Sequence, residues 1–299
     1  MKPNLTLLTL LFFSLSGCSM SHTEDKLNVK RSAYFGEQPP GLVPKIFEPK
    51  IVSPNGEFES GTFTPDMQSF YFTKAIGEDK KRGFFVIHKE NNQWGKASET
   101  DLRWPQFSYD GSKMFIGKMY RERQGDGWSE PKSPGAFIKH MAHGRSVSAS
   151  GTYYFTGYKE RGVVGALYYS RLINGQYEEP IKLRDDMNQG EYIAGSMIAP
   201  DESYLIWSVQ RAEGFGQSDL YISFKKQDGT WSKVINMGVT INTEKQESSP
   251  QLSPDGKYFF FNRGDWRVNG SGKRIYEGKQ HWVDIQLIKN LKRKSEFPL

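Results

Sequence analysis

Residues 249–263 read SPQLSPDGKYFFFNR, and this stretch holds a strand, a tight turn and a second strand in fifteen residues. Gln251 and Leu252 end an extended segment. Pro254 then restricts φ, the Asp255 side chain bonds its own backbone, and Gly256 admits the positive φ that closes a turn. Tyr258, Phe259, Phe260 and Phe261 form an aromatic run too short for a helix and suited to a buried strand. A lone hairpin of this kind is marginal, so its weight comes from recurrence.

Aligned on Asp255, the same layout returns in FTPDMQSFYFTK at Asp66, FSYDGSKMFIGK at Asp110, SVSASGTYYFTG with Ser150 in the aspartate place, and MIAPDESYLIWS at Asp201. The intervals are 44, 40, 51 and 54 residues, the length of one four-stranded supersecondary unit. Second apolar runs follow at 83–87, 166–172, 219–224 and 281–288, and most lead to a turn closing on an aromatic at Trp94, Trp128, Tyr177 or Trp231. Trp94, Trp128 and Trp231 recur at equivalent places and read as packing between blades, whereas the repeat does not explain Trp104, Trp266 and Trp282. The second unit is short, with 18 residues from Asp110 to Trp128 against 28 from Asp66 to Trp94, and its third strand is expected near 119–123.

A row of such sheets leaves unpaired edges at both ends, which a ring removes by letting the first and last units share a blade. The fifth unit runs out at Ile288 without a fourth strand, and residues 43–53 (VPKIFEPKIVS) resemble the fourth-strand segment at 231–242. The expectation is therefore an all-β, five-bladed β-propeller of four-stranded antiparallel blades whose last blade the N-terminal segment closes. Nothing in the sequence reads as a helix, and 289–294 reads as a basic end.

The turn resembles the hallmark of the TolB-like, WD-repeat-like β-propeller repeats of bacterial periplasmic proteins and lipoproteins, a Pro-Asp-Gly turn between a blade's first two strands. The resemblance covers nearly all of 34–288. Only SPDG at 253–256 matches in full; TPDM and APDE lack the glycine, SYDG the proline, and SASG both proline and aspartate.

Residues 1–18 read MKPNLTLLTLLFFSLSGC: a positive Lys2, an apolar core too short to span a bilayer, then small residues ending in the chain's one cysteine. This resembles a bacterial lipoprotein signal, which implies cleavage after residue 17, lipid on Cys18, and, with Ser19 next, sorting to the outer membrane, facing the periplasm or the surface. Residues 18–33 then form an anchor and polar tether, 34–292 the propeller and 293–299 a tail. One cysteine excludes an internal disulfide. The net charge is +6, or +5 once Lys2 leaves with the signal, and the basic residues are dispersed, which argues against nucleic acid.

In propellers the first strand of each blade lines the channel, so ligand contacts are sought just before each turn. That rule gives Glu57 and Glu59, Arg103 and Trp104, His143 and Arg145, Glu191 and Tyr192, and Glu247, with Arg211, Arg263, Asp265 and Arg267 following second strands. The ligand-contact set is Arg103, Trp104, His143, Arg145, Glu191, Glu247, Arg263 and Asp265. Arginines, carboxylates and aromatics at one mouth suit a carboxylate-bearing or sugar ligand. A glutamate entering a strand also serves to cap backbone, the plain reading for any one of them. His140 and His143 lack a third ligand, so no metal or cofactor is expected. The sequence has no G-x-S-x-G, Walker or H-E-x-x-H motif. These observations point to a monomeric, lipid-anchored envelope module binding a glycan or an envelope protein, or alternatively to a polysaccharide lyase or hydrolase with its site at the channel mouth.

Overall fold

A computed structural model describes residues 32–77, 81–135, 141–158, 165–268, 272 and 274–296, with only the backbone described at 141–143. The expected signal sequence, Cys18 and His140 lie outside these residues, as does the side chain of His143.

Five antiparallel sheets follow one another in the order the repeats require. Blade 1 comprises Phe58–Phe63, Ser69–Ile76, Lys81–Glu90 and Ser98–Glu99, and blade 2 the shorter Gln106–Phe107, Lys113–Ile116, Met119–Gln124 and Gly127–Trp128. Blade 3 is Met141–Val147, Tyr153–Gly157, Ala166–Ser170 and Ile181–Lys182, and blade 4 is Glu191–Ile198, Tyr204–Gln210, Asp219–Phe224 and Ile235–Asn236. Blade 5 is Gln246–Leu252, Tyr258–Val268 and Arg274–Asp284, closed from the other end of the chain by Lys45–Ile46. Lys45 pairs with Trp282 and Ile46 with His281, so the N-terminal segment shuts the ring as expected. The protein is a five-bladed β-propeller of four-stranded antiparallel blades.

The turn chemistry explains how unlike sequences make the same hairpin. In four of the five turns a Ser or Thr two positions before the aspartate place accepts the N–H that starts the second strand, as Ser253 Oγ does from Tyr258 at 2.9 Å, or shares a hydrogen with the residue in that place, as Ser148 does with Ser150. The residue after the aspartate place has positive φ in every blade: Met67 54°, Gly111 71°, Gly151 85°, Glu202 59° and Gly256 69°. Two blades thus hold a side chain where glycine is favoured, at a cost of about 1–2 kcal/mol each. Met67 packs against the core at the join of blades 5 and 1, and Glu202 bonds Ser148, Tyr154 and Lys225, so tertiary contacts offset the strain.

The apolar core lies between blades. One aromatic cluster at the 5–1 seam gathers Tyr34, Phe35 and Phe47 from the N-terminal segment with Phe58, Phe70, Trp94, Phe260 and Trp282. Others fill the 4–5, 3–4 and 2–3 seams. No comparable cluster among the described residues fills the 1–2 seam, where Tyr71 and Phe107 meet at 5.8 Å between ring centroids. Trp94 and Trp231 sit in seams as expected, while Trp128 packs on Phe107 of its own blade and Trp282 is core.

One expectation is overturned. The third strand of blade 5 ends at Asp284, and Gln286–Glu296 forms a helix, α1, where a basic end was expected. The Asp284 carboxylate accepts the Gln286 N–H at 2.7 Å, Leu287 and Ile288 are buried, Ile285 and Leu291 pack beside them, and Arg293 and Lys294 favour the C-terminal end of the dipole. The short apolar pattern of this helix runs on from the strand without a break, which hid it.

Candidate functional site

The five inner strands converge on the axis, and the turn position gives them a common register. Six residues before the turn stand Ser60, Trp104, Gly144, Gly195 and Ser249, and five before it stand Gly61, Pro105, Arg145, Ser196 and Pro250. All ten line one cavity of about 560 Å³. At the outer of these two rings the backbone bulges: φ is 46° at Trp104, 57° at Gly144, 54° at Gly195 and 53° at Ser249. The bulges press neighbouring strands together. A Cβ on Gly144 would lie 2.3 Å from Gly195 Cα, and one on Gly195 3.3 Å from Ser249 N, which is why these positions are glycine.

The cup opens on the face away from the hairpin turns and spreads from the axis toward the weakly packed 1–2 seam, where Thr73, Phe84 and Leu102 line it. Its two lips are indoles. Trp104, 53% exposed, meets Phe84 edge-on at 4.9 Å and 90°, and Trp266, 42% exposed, donates its Nε1–H to Gln246 at 2.8 Å. Cations lie on these rings: Arg82 on Trp104 at 5.8 Å, Arg103 on Phe84 at 5.4 Å and Arg274 on Trp266 at 4.8 Å.

Arg145 is the one charged residue lining the cup among the described residues. It stands beside the Tyr153 phenol, its Nη1 is buried without a hydrogen-bond partner, and no carboxylate lies within ion-pair distance of it among the described residues. Asn262 lines the same space and its Oδ1 is likewise buried and unbonded. The two residues face the cup from blades 3 and 5, and both atoms are of a kind normally satisfied when buried.

The other expected contacts lie elsewhere. Glu247 is fully buried and accepts hydrogen bonds from Thr243 N–H, Thr243 Oγ1 and Arg263 Nε, the last at 2.9 Å, and Arg263 also donates to the Ile241 carbonyl. Burial pushes the Glu247 carboxyl up to about 7 against the pull of Thr243 and Arg263. Asp265 pairs with Lys245 at 3.1 Å, and Glu191 is exposed at the start of its strand opposite Gln210. Glu57 bonds Ser53 and Asn55, and Glu59 pairs with Arg82. The His143 backbone pairs with Thr156. Of the eight expected contacts, then, Trp104 and Arg145 line the cup, Arg103 borders it through Phe84, Glu191, Glu247, Arg263 and Asp265 do not, and the His143 side chain lies outside the described residues. Sequence reading missed Asn262, Phe84 and the placement of Trp266 on the same cup as Trp104; the signal that finds the inner rings is the count back from the turn.

No family model and no curated protein matches the sequence. Solved structures similar to the chain include TolB from Acinetobacter baumannii, 15% identical over 75% of this chain and 54% of that one with a TM-score of 0.44. The hydrazine synthase of Kuenenia stuttgartiensis is 14% identical over 80% of this chain and 67% of that one, TM-score 0.39. An oligogalacturonate lyase from Vibrio parahaemolyticus is 11% identical over 79% and 72%, TM-score 0.39. The chain spans about half the length of the Acinetobacter TolB chain. The propeller assignment rests on blade order and register. No helix among the described residues is long and apolar enough to cross a membrane.

Proposed function

We propose that this protein is a lipid-anchored binding module of the bacterial cell envelope that holds a glycan or an envelope protein in the cup. The observation that carries the reading is the cup itself, about 560 Å³ on the propeller axis, lined by Arg145 and Asn262 and bordered by the exposed indoles of Trp104 and Trp266. Such a wall binds without needing to react. Turnover would call for an acid and a base within hydrogen-bond reach of one substrate atom. No carboxylate lines the cup among the described residues, and Glu247 is committed to Arg263. Binding is therefore favoured over a lyase or hydrolase.

Anchoring follows from the resemblance of residues 15–18, LSGC, to a lipoprotein cleavage site. It is compatible with the fold. The Ser32 carbonyl accepts the Trp94 indole N–H, and the Tyr34 hydroxyl donates to Asp255 in a turn, so the chain from Cys18 enters the propeller on the turn face, opposite the cup. An acyl chain on Cys18 would leave the mouth free, in the outer membrane facing the periplasm or the surface.

The experiment uses the soluble protein from Ser19 onward, titrated with a panel of neutral and acidic oligosaccharides by tryptophan fluorescence, with product analysis of the same mixtures. Saturable binding lost in both Trp104→Ala and Trp266→Ala, without new products, is expected. New reducing ends or unsaturated products would install the enzyme reading instead, and binding indifferent to both substitutions would remove the cup as the site. For the anchor, Cys18→Ala should release the protein from the membrane fraction; unchanged fractionation would refute lipidation.

A further inference from the structure

We infer that the propeller rests its turn face on an anionic phospholipid bilayer through the outer side of helix α1, where Lys289, Lys292, Arg293 and Lys294 meet the headgroups. The inference goes beyond ligand binding at the cup. It concerns the opposite face and shares only the lipid anchor with that reading.

The helix supplies charge without a partner. Lys289, Lys292 and Arg293 recur at i, i+3 and i+4 and so form one stripe, turned away from the buried Leu287 and Ile288, with Lys294 beside it. Lys289, Arg293 and Lys294 are exposed and Lys292 is half-buried. None of the four has a carboxylate within ion-pair distance among the described residues, whereas Lys225 and Lys257 on the same face are matched by Glu202 at 2.7 Å and Asp255 at 3.1 Å. Against these four cations α1 holds one acid, Glu296, at its end. Lys289 and Lys292 border a groove of about 670 Å³ whose other side is made by the turns of blades 4 and 5. The two carboxylates of that groove have donors already: Asp255 accepts from Tyr34 and Ser253, and Asp201 from the Ser203 N–H. The turns of blades 1 and 2 carry Asp66 and Asp110 with no such helix, which confines the contact to the side of blades 4 and 5.

Placement then says what covers this surface. The Ile285 N–H donates to the Lys257 carbonyl at 3.0 Å, which sets the start of α1 against the blade 5 turn. The Tyr34 hydroxyl reaches the same turn, donating to Asp255 at 2.6 Å, so the chain that leads back to Cys18 leaves the propeller beside the basic helix. Fourteen residues take Cys18 to Ser32, a span of at most about 50 Å when fully extended. A lipid on Cys18 would thus tether the propeller by the face that carries α1. The bilayer complements the stripe by charge alone, because the helix already buries Leu287 and Ile288 in the propeller core. The contact is therefore with headgroups, without insertion, and salt screens it.

The test uses the protein from Ser19 onward, which lacks the anchor and any cysteine, sedimented with vesicles of phosphatidylcholine alone or mixed with phosphatidylglycerol, at low and high salt. Expected is binding to the anionic vesicles only, lost at high salt. The triple variant Lys289→Gln, Lys292→Gln, Arg293→Gln should lower the partition coefficient by about 100-fold, about fivefold for each charge removed. Thermal melting of the variant checks its fold. A polarity-sensitive dye on Ser295→Cys, in α1, should shift on anionic vesicles, while one on Val268→Cys, at the cup-side end of its strand, should not. Equal binding to neutral and anionic vesicles, less than about a twofold change in the triple variant, or a dye shift at position 268 alone would overturn the inference. Absence of vesicle binding would do the same, and binding of polyglutamate that needs the same three residues would then assign the stripe to an acidic protein. None of these results touches cup binding or the Cys18 anchor, which have their own tests.

Discussion

Replacing Phe47 with alanine should break the ring at its one non-consecutive join. Phe47 is fully buried next to Lys45–Ile46, with ring centroids 6.0 Å from Phe58 and 6.2 Å from Phe70 in blade 1, and 5.2 Å from Phe260 and 5.1 Å from Trp282 in blade 5. Its removal takes away a side chain that both end blades touch. A buried Phe→Ala change costs about 3–5 kcal/mol, the upper part applying where surroundings cannot collapse. Two sheets fixed by their own ladders cannot move in to fill the gap, so the upper part is expected here. For a chain of this size that lowers the melting temperature by about 6–20 °C. The comparison variant is Phe259→Ala, also fully buried but in the 4–5 seam between consecutive blades. Both should lose stability; only Phe47→Ala should also lose amide protection across the join, at Trp282, whose ladder partner is Lys45, and at position 47, whose N–H donates to the Gln280 carbonyl at 2.8 Å. Chemical denaturation followed by hydrogen exchange measures both. A loss below about 1 kcal/mol, or equal protection of Trp282 and position 47 in the two variants, would refute the claim that this residue holds the join.

Three further outcomes follow from the packing. Gly144→Ala, with φ at 57° and its new Cβ 2.3 Å from Gly195 Cα, should cost about 2–5 kcal/mol, whereas Gly238→Ala, with φ at 80° and open space around it, should cost about 1–2 kcal/mol; equal melting temperatures would show that the inner strands can separate. Burial opposes ionisation of Glu202, yet hydrogen bonds from Lys225, Thr152, Ser150 and Ser148 outweigh it and hold the carboxyl at about 2. Its folded pKa lies below the unfolded value, so this contribution is present above about pH 4.5 and is lost as the pH falls toward 2; with solvent screening it amounts to about 1 kcal/mol, and Glu202→Gln should flatten that part of the stability profile. Glu247→Gln leaves Arg263 without its carboxylate in a mostly buried setting and should cost about 3–5 kcal/mol at pH 8 by urea denaturation; a cost under 1 kcal/mol would mean that Arg263 finds water.

The fold was legible because a propeller repeats its costliest requirements. Each blade needs a reversal between its first two strands, and the Ser/Thr-x-Asp arrangement followed by a positive-φ residue supplies it at Thr64, Ser108 and Ser253 even where proline or glycine is missing. Closure could be read from a missing fourth strand, since an unpaired edge is a physical deficit that some segment must fill. Helix α1 was not legible for a local reason: Ile285, Leu287 and Ile288 continue the apolar run of Trp282 and Val283, and the change of period from two to 3.6 takes more residues to show than the helix presents before its basic end.

The site was legible only in part, because a repeat tells where the units agree and a ligand is read where they differ. Counting back from the turn reached Trp104 and Arg145, and the same rule drew in Glu191 and Glu247, whose side chains have other partners or open solvent. Position alone cannot separate these cases. What separates them is whether neighbouring chemistry already satisfies the group. Glu247 finds Arg263 sixteen residues away on the adjacent strand, a pairing set by the register of Glu247 opposite Arg263. Arg145 stands opposite Phe155 and finds no carboxylate among the described residues. Glycine at Gly144 and Gly195 draws the inner strands of blades 3, 4 and 5 together, while the two-residue inner strand of blade 2 leaves the 1–2 side open. The cup is therefore a consequence of one short blade in an otherwise tight ring. Lengthening that blade's inner strand by pairing residues 103–105 with 117–118 would close the cup and, on this reasoning, abolish binding while raising stability.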